Sequence, residues 1–87
     1  MKLPVYAIRD VRSTFTGLTV DTNDATAARN FAHAVMQVGS IMHSHPQDFS
    51  LYRLGDFDTD TGVLIPLSPI QLVMDGVSVE GVTQNGR

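Results

Sequence analysis

Apolar and polar positions along this chain follow two rhythms, one of period two and one of period 3.6. Residues 3–9 form a short apolar run bounded by polar residues, with the β-formers Val5, Tyr6 and Ile8, and predict a strand. Pro4 lacks an N–H and belongs at the start of that strand or on an edge. Residues 10–14 are polar and read as a turn. From Phe15 to Val20 the pattern alternates, with Phe15, Gly17 and Thr19 on one side and Thr16, Leu18 and Val20 on the other. This predicts a second strand, with Gly17 at a bulge. Asp21-Thr22-Asn23-Asp24 carries side chains that accept the first free N–H groups of a helix, and its acids suit the positive end of the helix dipole. The segment that follows is Ala-rich. Ala28, Phe31, Ala32 and Val35 make one apolar stripe, and Arg29, His33 and Gln37 a polar face, which predicts a helix over 24–38. Gly39 is placed to stop it.

Residues 41–47 read as a connector in which His45-Pro46 is extended or turning. Phe49 to Phe57 predicts a strand, 58–62 (Asp-Thr-Asp-Thr-Gly) a turn and 63–67 the returning strand, together a hairpin. Pro66 places that return on an edge or out of the ladder. Ser68-Pro69 breaks the pattern, Ile70–Met74 is a further strand, and 77–79 a short last one after the turn dipeptide Asp75-Gly76. The expected order is β-β-α-β-β-β. This is an α+β fold, with one helix packed on a mostly antiparallel sheet of four to five strands. Residues 1–80 form one domain, and the Gly-, Asn- and Thr-rich tail 81–87 is expected to be mobile.

With 87 residues the chain suffices for one modest core, and domains of this size often lean on a partner subunit. The absence of cysteine excludes disulfides and thiolate metal sites. The opening run is too short and too soon interrupted by Arg9, Asp10 and Arg12 for a secretory leader. No stretch reaches the ~20 apolar residues of a membrane helix. A cytosolic protein without membrane contact is the expectation. A net charge of −3 counts against binding nucleic acid over a broad basic surface.

Candidate chemistry is sparse. Asp56, Asp58 and Asp60 have the spacing of calcium-loop ligands, but that loop wants Gly at its sixth position and Glu at its twelfth, where Thr61 and Leu67 stand. A solvated turn in which Asp caps its own backbone is the better reading. His33, His43 and His45 lack the spacing of a metal site. The serines sit in no nucleophile elbow, and the glycines build no phosphate loop. The sequence thus predicts neither catalytic nor metal-binding residues, no cofactor and no enzyme. Aromatic residues with basic neighbours remain: Tyr6 near Arg9, and Tyr52 beside Arg53. Small β-modules hold single strands with such pairs. The alternative is that the six aromatic rings simply fill the core.

Three segments carry a family resemblance. They are Tyr6-Ala7-Ile8-Arg9-Asp10, then Ala27-Ala28-Arg29-Asn30-Phe31, and above all the run from His45 to Gly62, His-Pro-Gln-Asp-Phe-Ser-Leu-Tyr-Arg-Leu-Gly-Asp-Phe-Asp-Thr-Asp-Thr-Gly. Over about residues 5–67 the chain resembles the small nonstructural protein of gokushoviruses, single-stranded DNA phages of the microvirus group. The resemblance implies a phage protein made in the host bacterial cytoplasm, described in its family as DNA-binding or replication-associated. The expected function is a non-enzymatic accessory protein that binds single-stranded viral DNA or the replication and packaging machinery. Arg9, Arg12 and Arg53 would clamp the backbone, and Tyr52 would stack on bases. The alternative is a protein–protein module, with a homodimer among its forms, that acts on a host factor or on capsid assembly without touching DNA.

Overall fold

A computed structural model describes residues 1–79. Residues 81–87, expected as a mobile tail, lie outside the described residues. Four strands, β1 (Lys2–Asp10), β2 (Phe15–Val20), β3 (Phe49–Asp58) and β4 (Leu64–Asp75), form one antiparallel sheet in the order β2-β1-β3-β4. Helix α1 (Asp24–Met36) packs on one face. A one-turn helix α2 (Ile41–Ser44) and a 3-10 turn (Pro46–Asp48) carry the chain back to β3, so the expected connector is helical. The fold class is the one expected: one main helix on a four-stranded antiparallel sheet.

Helix α1 begins where the polar run placed it. Asn23 is extended, and its side chain accepts the Thr26 N–H at 2.8 Å, which satisfies one of the free N–H groups at a helix start. The helix ends two residues earlier than expected, and Gly39 takes up a left-handed φ of 96° in the loop beyond. Ala27, Phe31 and Val35 are its buried stripe. They meet Tyr6 of β1 and Phe49 and Leu51 of β3, with Ile8, Met42, Val73 and Met74 at the margin.

Two corrections concern the C-terminal half. The segments 63–67 and 70–74 are one strand, not two, although Pro66 and Pro69 lie within it. β4 is an edge strand, where a proline forfeits no ladder bond on its outer side. The ladder absorbs the interruption as a jump in register between the pairs Arg53–Gln71 and Gly55–Pro66. The expected short strand at 77–79 is instead a 3-10 turn over Gly76–Ser78, whose Val79 closes the core.

The bulge expected at Gly17 is present. Gly17 has φ of 67°, and the β1–β2 register slips between Tyr6 and Ile8. Phe15 is paired with Arg9 and Val20 with Val5, so Phe15 and Val20 share a face rather than lying on opposite ones. One extra residue in a strand reverses the alternation beyond it.

A candidate site on the helix-free face of the sheet

Cross-strand partners point to the same side of a sheet, and successive residues alternate. The ladder therefore sorts the side chains. Tyr6, Ile8, Phe49, Leu51, Arg53 and Met74 belong to the helix side. Val5, Ala7, Arg9, Phe15, Val20, Ser50, Tyr52 and Leu72 belong to the other side, on which no helix packs among the described residues.

That second face is mostly apolar. Phe15 and Tyr52 come from strands on either side of β1 and meet edge-to-face, their ring centroids 5.7 Å apart. Ala7, small and paired with Tyr52, is buried beneath this level, as is Val5. Leu18 is 70% exposed, Leu72 51% and Val20 43%. Beside them Val5, Leu18, Leu54, Gly55, Leu64, Ile65 and Pro66 line a shallow groove, with Asp56 as its one charged residue. The polar groups sit together at one end. Arg9 is exposed, and Ser50 donates to an Asp75 carboxylate oxygen at 2.7 Å.

The four residues expected to hold nucleic acid are not brought together. Arg9 and Tyr52 share the open face. Arg12 lies in the β1–β2 turn, highly exposed, with its Nε 3.7 Å from Asp48. Arg53 lies on the helix side. Its guanidinium donates to Asp56 at 2.7 Å and to Asp24 at 3.5 Å, and its Nε is buried without a partner among the described residues. The hydrogen bond to Asp56 raises its pKa above the ordinary value. Phe15, which is not among those four residues, is the second ring of the open-face pair. Its signal was its place at the start of an alternating run.

Around Arg53 the helix side carries a polar junction. The Tyr6 hydroxyl donates a short hydrogen bond to Asp24, the first residue of α1, and Asp24 is shared with Arg53. Burial, then the Asp24 carboxylate, pushes the Tyr6 phenol well above its ordinary pKa. The sign follows from linkage. A pKa raised by folding contributes stability that is complete below the unfolded value near ~10 and is lost as pH rises through the folded value. In a Tyr52→Phe variant, whose one remaining phenol is Tyr6, the phenolate absorbance is expected in an alkaline titration to appear together with loss of helical circular dichroism. A phenolate signal near pH ~10 with the helix intact would contradict this junction.

The acidic hairpin tip behaves as a capped turn. Asp58 accepts the N–H groups of Asp60 at 2.9 Å and of Thr61 at 3.4 Å, which hold its carboxyl below the usual range. Asp60 pairs with the N-terminal amine at 2.7 Å. His43 contacts the Val35 carbonyl through Nδ1, and His45 contacts the Ser44 hydroxyl. Among the described residues no three acidic or histidine side chains converge as metal ligands.

No curated protein and no solved structure matches the chain. The family model described as phage ORF5 protein matches residues 3–79, nearly the whole chain, with the helix, the hairpin and all of the sheet but Lys2. The chain belongs to the phage ORF5 protein family.

Proposed function

We propose that this phage protein is a non-enzymatic accessory factor that works by binding a polypeptide through the helix-free face of its sheet. The observation that carries the reading is the make-up of that face: exposed Leu18, Val20 and Leu72 around the Phe15–Tyr52 pair, with Arg9 at its end. Contiguous exposed apolar surface of this kind marks contact with protein rather than with phosphate. Charge supports it. Arg53 is held by Asp24 and Asp56 and Arg12 lies near Asp48, in a chain of net charge −3.

One observation favours a second reading, contact with single-stranded DNA. Two rings on an open sheet beside an arginine are the parts of a base-stacking platform. Within that reading Arg9, Arg12 and Tyr52 carry the contact, and Arg53 does so only by leaving its carboxylates. Both readings place the protein in the infected bacterial cytoplasm, as its gokushovirus-like signature suggests.

Co-purification from infected bacteria separates them. On the polypeptide reading a bound protein survives nuclease treatment and is lost from a Leu72→Glu variant. Recovery of viral DNA that depends on Arg9, with no nuclease-resistant protein, would overturn that reading in favour of DNA.

A further inference from the structure

One row of the ladder crosses all four strands of the open face. Phe15, Arg9, Ser50 and Asp75 are successive cross-strand partners on β2, β1, β3 and β4. The midline of the sheet runs between β1 and β3, so this row carries a cation on one side of the midline and an anion on the other. A two-fold axis lying between two stacked sheets, parallel to the strands, reverses the row. Arg9 of each copy then lies over Ser50 of the other and beside its Asp75. Ser50 already orients that carboxylate through its hydroxyl. A single surface therefore carries both halves of an ion pair in the self-complementary arrangement that a two-fold interface requires.

The rest of the face suits the same occupant. Behind the charged row lie Ala7, Tyr52 and Leu72, then Val20, Val5, Gly55 and Pro66. Four strands spaced ~4.8 Å apart, followed for seven or so residues, give about 19 by 24 Å, roughly 450 Å² of projected face. Side-chain relief adds to that projection, so a stacked pair covers about 1,000 Å² or slightly more, the size at which specific interfaces begin. Strand twist lets such sheets stack with their strands within about 30° of each other. Joining at the β4 edge is disfavoured, because Pro66, Pro69 and the register jump leave a poor template for another strand.

We infer that the helix-free face is covered by a second copy of this chain, stacked sheet on sheet about a two-fold axis along the strands, with reciprocal Arg9–Asp75 ion pairs at one end. This rests on reading the face as a polypeptide-binding surface.

Sedimentation equilibrium of the full chain up to about 100 μM tests it, a range suited to an interface of this modest size. The wild type is expected to be a dimer at the upper end. Leu72→Glu, a half-exposed site where the fold tolerates a charge, is expected to weaken association at least about a hundredfold by placing two carboxylates in the apolar stack. Arg9→Asp and Asp75→Arg are each expected to weaken it about tenfold by setting like charges together, and the double swap to restore it to within about threefold of wild type. That restoration does not depend on how Leu72→Glu folds. A wild type that stays monomeric overturns the second-copy inference, as does a dimer indifferent to Leu72→Glu or a double swap that fails to restore. If the monomeric wild type still binds an apolar dye that Leu72→Glu excludes, the second copy is refuted while the polypeptide-binding reading stands. Without dye binding, both fail.

Discussion

Replacing Phe31 by alanine is expected to remove about 3–5 kcal/mol of stability. Phe31 is 3% exposed and stands at the centre of the α1 stripe, between Ala27 and Val35 and against Tyr6, Phe49 and Leu51. Two terms add: the lost transfer of a large ring out of water, and the cavity left because helix and strands relax only partly. A chain of 87 residues has a total of roughly 4–13 kcal/mol to lose. The loss is therefore about a quarter of the total or more, and at the low end of that range it brings the variant to its unfolding midpoint at room temperature. Urea denaturation followed by circular dichroism measures this. A midpoint within experimental error of wild type would mean that α1 does not seat on the sheet as described. Phe31→Leu, which keeps most of the volume, is expected to lose well under half as much.

Gly55→Ala is expected to be one of the two most damaging changes that add only one methyl group, the other being Gly76→Ala, whose Cβ would stand 2.3 Å from the Pro46 carbonyl oxygen. A Cβ at Gly55 would stand 2.3 Å from the Ile65 carbonyl oxygen and 3.0 Å from the Pro66 Cα, both backbone atoms of the paired strand. Backbone cannot swing aside as a side chain does, so β4 must shift away from β3 where the register jumps. Overpacking of this kind costs about 1–3 kcal/mol, and here the cost falls on the hairpin joint. Besides a lower midpoint, the expected sign is faster amide hydrogen exchange around 55 and 64–66 with β1 and α1 protected. By contrast Gly39→Ala meets no neighbouring atom within 4 Å and is strained only by its φ of 96°, so its loss is expected to be the smaller. Equal losses at the two sites would contradict the close approach of β4 to Gly55.

Helix α1 was legible because capping, stripe and stop agree within one segment, and no distant contact is needed to specify it. β1 and β3 were legible for a related reason: each is a short run rich in β-formers between polar turns. What misled lay in the strands' departures from ideal alternation. The bulge in β2 brings Phe15 and Val20 to one face although five residues separate them, an odd spacing that regular alternation splits. A second bulge at Leu54, between the pairs Tyr6–Arg53 and Val5–Gly55, lets Arg53 meet Asp56 three residues on. Regular alternation would point those two side chains apart. Tyr52 and Arg53 show the converse. Their adjacency in sequence suggested a shared site, yet neighbours in a strand point to opposite faces, and Arg53 is claimed by Asp24 and Asp56. Pro66 marked its strand as an edge, which the sheet order bears out; the break at Ser68-Pro69 was misread, because an edge strand carries a second proline without ending.

The same sorting explains why a small acidic protein has so apolar a surface. Its single main helix covers one face of a four-stranded sheet, and nothing in the described chain covers the other. The hydroxyl of Tyr6, the charges of Arg53 and the acids around them are satisfied among themselves on the helix side. The open face keeps Arg9 and Asp75 at one end of an otherwise apolar field, which is the layout of a surface that excludes water only when something sits on it.

The most direct test of that account is methyl relaxation by a soluble paramagnetic probe in the concentrated wild-type protein. Val38 and Ile41 are highly exposed beyond α1, whereas Leu18, highly exposed, and Leu72, half-exposed in the isolated chain, lie on the open face. Strong relaxation is expected at Val38 and Ile41, with Leu18 and Leu72 shielded. Equal relaxation of all four would show the helix-free face bare in solution and contradict it.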